Sequence, residues 1–243
     1  MPKSNNPVGR LYEILSAFQK ATTNQNDRLD TIISRVFSVD PNDSSRLLEI
    51  YLELLNLTKE CKTEIRKLPE TSHELHLRAI KVIERAFSAN SLHSNWASFG
   101  KKLDPSTMTG LEHTADNLSY LGEQMVPKED LENLQREVNN LLELITKTEM
   151  NERLKVFLVE HLEKIHQALQ YYRIKGARGL KDALEKIMGA VIIFRTENPH
   201  QKAPDNVQSK FGSVMGLLVK IVAFANDLKG LTGIDVLSLP RLP

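Results

Sequence analysis

From Asn6 onward the apolar residues recur at three- and four-residue intervals, run after run, with prolines and short polar residues between the runs. No stretch before the last ten residues alternates apolar and polar as a strand would. A stripe of helical period has to be buried against another such stripe, so helix must pack on helix. The expected fold class is therefore all-α, a multi-helix bundle divisible into two helical lobes, with an extended C-terminal tail.

The punctuation predicts where the elements begin and end. Asn6 before Pro7 reads as an N-cap with proline at the first helical position, ahead of Leu11, Ile14, Leu15 and Phe18. A second run, Leu29, Ile32, Ile33, Val36 and Phe37, stops at Asp40-Pro41. Asp43 or Ser44 caps a long third run from Leu47 through Leu54, Leu57, Cys61 and Ile65 to Pro69. Thr71 and Glu74 have capping-box spacing and predict a helix through Leu77, Ile80, Ile83 and Phe87. Residues 1–88 form the expected N-terminal lobe. Residues 89–126 form a connecting region with a short helix around Trp96 and Phe99 and another over about 106–125. Residues 127–243 form the C-terminal lobe with its tail. In that lobe Pro127 opens a run ending at Ile145, and a second run from Leu154 through His161 to Tyr172 closes at Gly176. Helices over 179–195 and 207–229 follow.

Composition narrows the partners. A chain of 243 residues buries roughly 70% of its unfolded surface and needs no metal or disulfide to hold a core. Its single cysteine, Cys61, rules out an internal disulfide framework and lies on an apolar stripe. Lys and Arg total 32 against 31 Asp and Glu, a net charge of +1, so no overall field draws the chain to nucleic acid, which is not an expected partner. The first ten residues carry no apolar run of signal-peptide length, and a cytoplasmic location is the expectation.

Several motifs point to chemistry. Gly176 and Gly179 sit in the basic stretch "YYRIKGARGLKDAL", and Lys175, Gly176, Arg178 and Gly179 are the candidate phosphate-binding residues. Over these positions the stretch resembles the Gly-x-x-Gly turn of K-homology RNA-binding domains, where amides without Cβ crowding approach phosphates. The flanks are patterned as helix rather than as the sheet that fold needs, so the favoured reading is a corner: Gly176 ends one helix in the left-handed conformation and Gly179 lets the next pack close. Arg195 and His200 have the spacing of the catalytic pair in helical nucleases of the HEPN family, and are the candidate catalytic residues. Glu70 with His73, and Glu163 with His166, have the Glu-x-x-His spacing of di-iron bundles. Glu70 stands at a helix start and Glu163 lies off the apolar stripe, so no metal and no cofactor are expected. His73 and His76 read as solvated.

The segment 211–227 is the most apolar in the chain. Ser213, Gly216, Lys220 and Asp227 mark one polar strip on it, opposite a wide apolar face. That pattern suits a central bundle helix with one wet edge, and the alternative is membrane contact through a 187–229 hairpin. Leu218 and Phe224 on this helix, with Leu237 and Leu239 in the tail, are the candidate protein-binding residues. The tail reads as a strap across the bundle or as a docking peptide. The expected function is a non-catalytic helical protein-interaction module with a protein partner. A membrane-acting effector is the second reading and a helical ribonuclease the third.

Overall fold

In a computed structural model of the chain, the described residues are 6–87, 92–119 and 124–225. They form eleven α-helices and one short 3-10 turn, with no named strand among them. The all-α expectation is met. The helices divide into two compact units, each with its own interior.

Unit 1 contains α1 (Pro7–Ala21), α2 (Leu29–Phe37), α3 (Ser44–Ile65), α4 (His73–Ala86), α5 (Trp96–Gly100) and α6 (Pro105–Asn117). Helix α1 packs against α2, α3 and α6, and α4 closes the group against α3 and α6. Local chemistry sets the starts. The Asn6 side chain accepts from Gly9 N at 2.8 Å and donates to the Ala115 carbonyl at 2.9 Å, so one residue caps α1 and ties it to α6. Asp43 caps α3 and Asp104 caps α6, each accepting from the amide three residues on. An aromatic cluster of Tyr51, Phe87, Phe99 and Trp96, packed ring against ring, holds α5 to the core. Cys61 is fully buried on α3, and that burial pushes its thiol pKa well up, which suits a small core hydrophobe.

Three expectations are corrected here. Thr71 does not stand at the helix N-cap: Pro69 leads into a 3-10 turn over Glu70–Ser72, and α4 starts at His73 with Ser72 before it. Ile80, Ile83 and Phe87 of the expected stripe are buried and Leu77 is half-buried. His76, Ala79, Ile80, Ile83 and Ala86 point inward and Leu75 is 73% exposed. His76 is buried, not solvated, because Thr114 on α6 offers it a partner at 3.0 Å. The Thr114 hydroxyl already donates to the Gly110 carbonyl at 2.7 Å, so it accepts from His76, which places the ring proton on Nδ1. Helix α6 is also shorter than its expected span. It ends at Asn117, and residues 124–127 are not helical.

Unit 2 is a four-helix bundle of α7 (Lys128–Lys147), α8 (Glu152–Gln170), α10 (Ala177–Glu197) and α11 (Asp205–Ala225). Helix α7 packs on α8 and α11, and α10 on α8 and α11, which closes the ring. The interior is aliphatic: Leu134, Val138, Leu141 and Ile145 from α7 meet Leu158, Leu162 and Ile165 from α8, Ile187 and Val191 from α10, and Val214, Leu218 and Val222 from α11. Gly179 is buried in α10.

His161 on α8 is also buried, donating from Nδ1 to the Phe157 carbonyl at 2.7 Å, its ring stacked on Phe157, whose ring meets Phe194 of α10. Burial lowers the pKa of His161, against the pull of the Phe157 carbonyl and with help from Lys164. Burial and then His73 lower that of His76. Both rings therefore take up a proton less readily in the folded chain than in the unfolded chain, where they titrate near the ordinary pKa of about 6.5. The stability they contribute is complete above that value and is lost as pH falls below it. Urea unfolding is therefore expected to give a lower midpoint at pH 5.5 than at pH 7.5. In His161→Phe, which keeps the ring stack, the difference should shrink; an unchanged difference in that variant would remove His161 from the account.

The tetrapeptide Arg173–Gly176 follows α8 in sequence yet belongs to unit 1, and its first three residues with Tyr172 form the short helix α9 (Tyr172–Lys175). Ile174 is buried there, and its carbonyl accepts from Arg10 Nε at 2.9 Å. Lys175 pairs with Glu53 at 2.8 Å, and Arg173 donates to the Val36 carbonyl at 2.8 Å while lying over the Phe37 ring. Gly176 has φ of 61°, the left-handed conformation that ends α9.

Candidate functional site

The α1–α2 turn is built around Asp27. Its Oδ2 accepts from Thr23 N at 3.0 Å, Asn24 N at 3.3 Å and Arg35 Nη1 at 2.7 Å, and these donors, Arg35 foremost, hold the carboxyl far below its usual range. That turn delivers Arg28 and Asp30 to the start of α2. The loop before α5 is laced onto the same turn by backbone bonds. Leu29 N donates to Ser94 O and Asp30 N to Leu92 O, each at 3.0 Å, while Trp96 N donates to Asp27 O at 2.7 Å. Asn95 then caps α5. The lacing brings His93 to Asp30 across 63 residues of sequence.

Three polar side chains converge. Arg28 Nη2 donates to Asp30 Oδ2 at 2.5 Å and lies 2.8 Å from His93 Nδ1, which is 3.0 Å from the same Asp30 oxygen. Burial opposes ionisation of Asp30, but hydrogen bonding with His93 and Arg28, together with the guanidinium charge, outweighs it and keeps the carboxyl below the ordinary carboxylate range. Beside the trio opens a cavity of about 370 Å³ between the starts of α2 and α3 and the loop before α5. Pro41, Leu47, Leu48 and Leu92 make its apolar wall. Its size and its mixture of an apolar wall with a few convergent polar groups are those of a ligand site. Outward along α3, Leu48 and Leu52 stand one turn apart, 48% and 49% exposed.

Unit 2 carries a wider groove along α7, where Gln135 Nε2 donates to Asn139 Oδ1 at 3.0 Å and Asn140 Nδ2 donates to Glu137 Oε1 at 3.4 Å. No group of three or more metal-ligating side chains occurs among the described residues.

The residues singled out from sequence fall elsewhere. Lys175 is engaged with Glu53 and Gly176 ends α9 in unit 1, while on α10 of unit 2 Gly179 is buried and Arg178 is exposed. Arg195 is exposed in the last turn of α10, and His200 is exposed beyond the helix end at Glu197, so they do not share a helix face. Leu218 is fully buried, and Phe224 is 46% exposed near the end of α11. The polar edge of α11 includes Ser213 and Lys220, but Gly216 is buried. Leu237, Leu239 and the rest of the tail lie outside the described residues. Helix α11 is long and apolar enough to cross a membrane by length and composition, and more than half of that stretch is buried inside unit 2.

Arg28, Asp30 and His93 escaped the sequence reading because no motif spacing joins positions so far apart. The one local signal was Asp30 in the first turn of α2, which is common at helix starts. In comparisons with known proteins, no family model, no curated protein and no solved structure matches the chain.

Proposed function

We propose that the chain is a helical protein-interaction module whose binding surface is the outer face of α3 in unit 1, with the cavity at its head. The observation that carries this reading is the pair Leu48 and Leu52. Large apolar side chains one helical turn apart, half exposed and continuous with an apolar-walled recess, form the kind of strip that accepts a partner's apolar side chains. Substituting both by aspartate adds charge to an exposed face and leaves the interior of unit 1 untouched, so the variant should melt as the parent does. In pull-downs from a lysate of the encoding organism, a protein retained by the parent chain is expected to be lost with Leu48→Asp/Leu52→Asp. Identical retained sets would move the function away from α3.

The length of α11 favours a second reading, a membrane-acting effector that releases this helix from unit 2. Leakage of dye from liposomes by the full-length chain is its test.

A further inference from the structure

We propose that the unit 1 cavity binds a carboxylate attached to an apolar body, the carboxylate on Arg28 and His93 and the body against Leu47, Leu48, Leu92 and Pro41. The inference deepens the interaction reading, and rests on it for one of two sources of this ligand: the C-terminal carboxylate of a partner chain ending in an apolar residue, or a free organic acid.

The chemistry follows from which hydrogen-bonding groups are already used. Asp30 is the acceptor of the trio, and both its oxygens are occupied: Oδ1 by Thr31 N at 2.7 Å and Thr31 Oγ1 at 3.3 Å, Oδ2 by Arg28, with His93 Nδ1 3.0 Å from it. Arg28 commits only Nη2 among the described residues, and it is 55% exposed, so donors on Nε and Nη1 remain. His93 is oriented by the same contacts. His93 Nδ1 is within reach of both partners: accepting from Arg28 at 2.8 Å puts the ring proton on Nε2, while donating to Asp30 at 3.0 Å leaves Nε2 a donor only in the charged ring. His93 is 70% exposed, and an incoming anion selects the states in which Nε2 carries a proton.

The polar end of the cavity therefore offers donors to an incoming ligand, and an anion with two acceptor oxygens complements a guanidinium edge and a nearby N–H. Asp30 balances most of the charge on Arg28, so the selection comes from short, directed hydrogen bonds rather than from long-range attraction. The other walls are aliphatic, and 370 Å³ holds about a dozen water-sized groups at ~30 Å³ each. A carboxylate with a chain or side chain of six to eight carbons fills that space.

Titrations of the full-length chain, followed by the methyl signals of Leu47, Leu48 and Leu92, test this with four probes. These are octanoate, octanamide, and an acetylated tetrapeptide ending in leucine with a free or an amidated C-terminus. At least one acid is expected to shift these methyls saturably and to bind about tenfold or more tightly than its amide, the difference a charge-assisted hydrogen bond makes. Arg28→Gln and, separately, His93→Phe should erase most of that preference while their melting temperatures stay near the parent's. The proposal is overturned if acid and amide bind alike, if no probe at millimolar concentration moves these signals, or if the preference survives both substitutions. Should one variant fold poorly, the other decides. Tighter binding of the free-acid peptide than of octanoate assigns the source to a partner's C-terminus; octanoate alone assigns it to a free acid. The latter outcome keeps the ligand chemistry and leaves the interaction reading to the α3 pull-down.

Discussion

Replacing Leu218 with aspartate is expected to destabilise the bundle of unit 2 by at least about 4 kcal/mol. Leu218 is fully buried in the middle of α11, among residues from the neighbouring helices. The substitution loses the transfer free energy of a buried leucine, about 1.5–3 kcal/mol, and adds a carboxyl with no prepared partner. Circular dichroism in a urea titration should show a clear fall in the midpoint relative to the parent chain, with Phe224→Asp, at an exposed position on the same helix, close to the parent. If Leu218→Asp unfolds at the parent's midpoint, α11 is not a core helix in solution, and the membrane or docking reading of this segment takes precedence. The exposed position matters as a control because both residues look alike in sequence. They lie on one apolar helix, six residues apart, and only packing separates them.

Arg10→Ala is expected to cost unit 1 about 3 kcal/mol, the scale for breaking a buried charged hydrogen-bond system. Arg10 is 6% exposed, donates from Nε to the Ile174 carbonyl at 2.9 Å and pairs through Nη2 with Glu60 at 3.3 Å. Removing it strips the Ile174 carbonyl of that donor and takes away the packing of the aliphatic stem. The single tryptophan, Trp96, lies in α5 of unit 1, so its fluorescence follows this unit through a urea titration. Arg10→Lys retains the charge but not the planar fork, and should fall between the parent and the alanine variant. A shift below about 0.5 kcal/mol for Arg10→Ala would mean that Ile174 and its neighbours hold their place without this arginine.

The helices themselves were legible in the sequence because periodicity, proline and capping act locally. Asn6 with Pro7, Asp43 before α3, Gly176 at the end of α9 and the stripe from Leu154 through His161 each state their structure within a few residues. The expected boundaries erred where local rules compete. After Pro69 a 3-10 turn carried the start of α4 past Thr71 to His73, and on α4 a histidine read as solvated took an interior place. That second outcome needed Thr114, 38 residues away, to accept the His76 proton.

What the tertiary structure alone decided is which polar groups meet. Arg28, Asp30 and His93 are joined because backbone bonds lace the loop before α5 to the α1–α2 turn. Arg10 meets Ile174 across 164 residues because a tetrapeptide following α8 completes unit 1. Neither meeting has a sequence period, since a hydrogen bond between distant segments depends on the path of the chain between them. The amino-acid sequence thus determined that this chain is helical and where most of its helices start. Long-range packing decided which side chains are interior, which are left exposed on α3, and where an apolar wall comes to stand beside Arg28, Asp30 and His93.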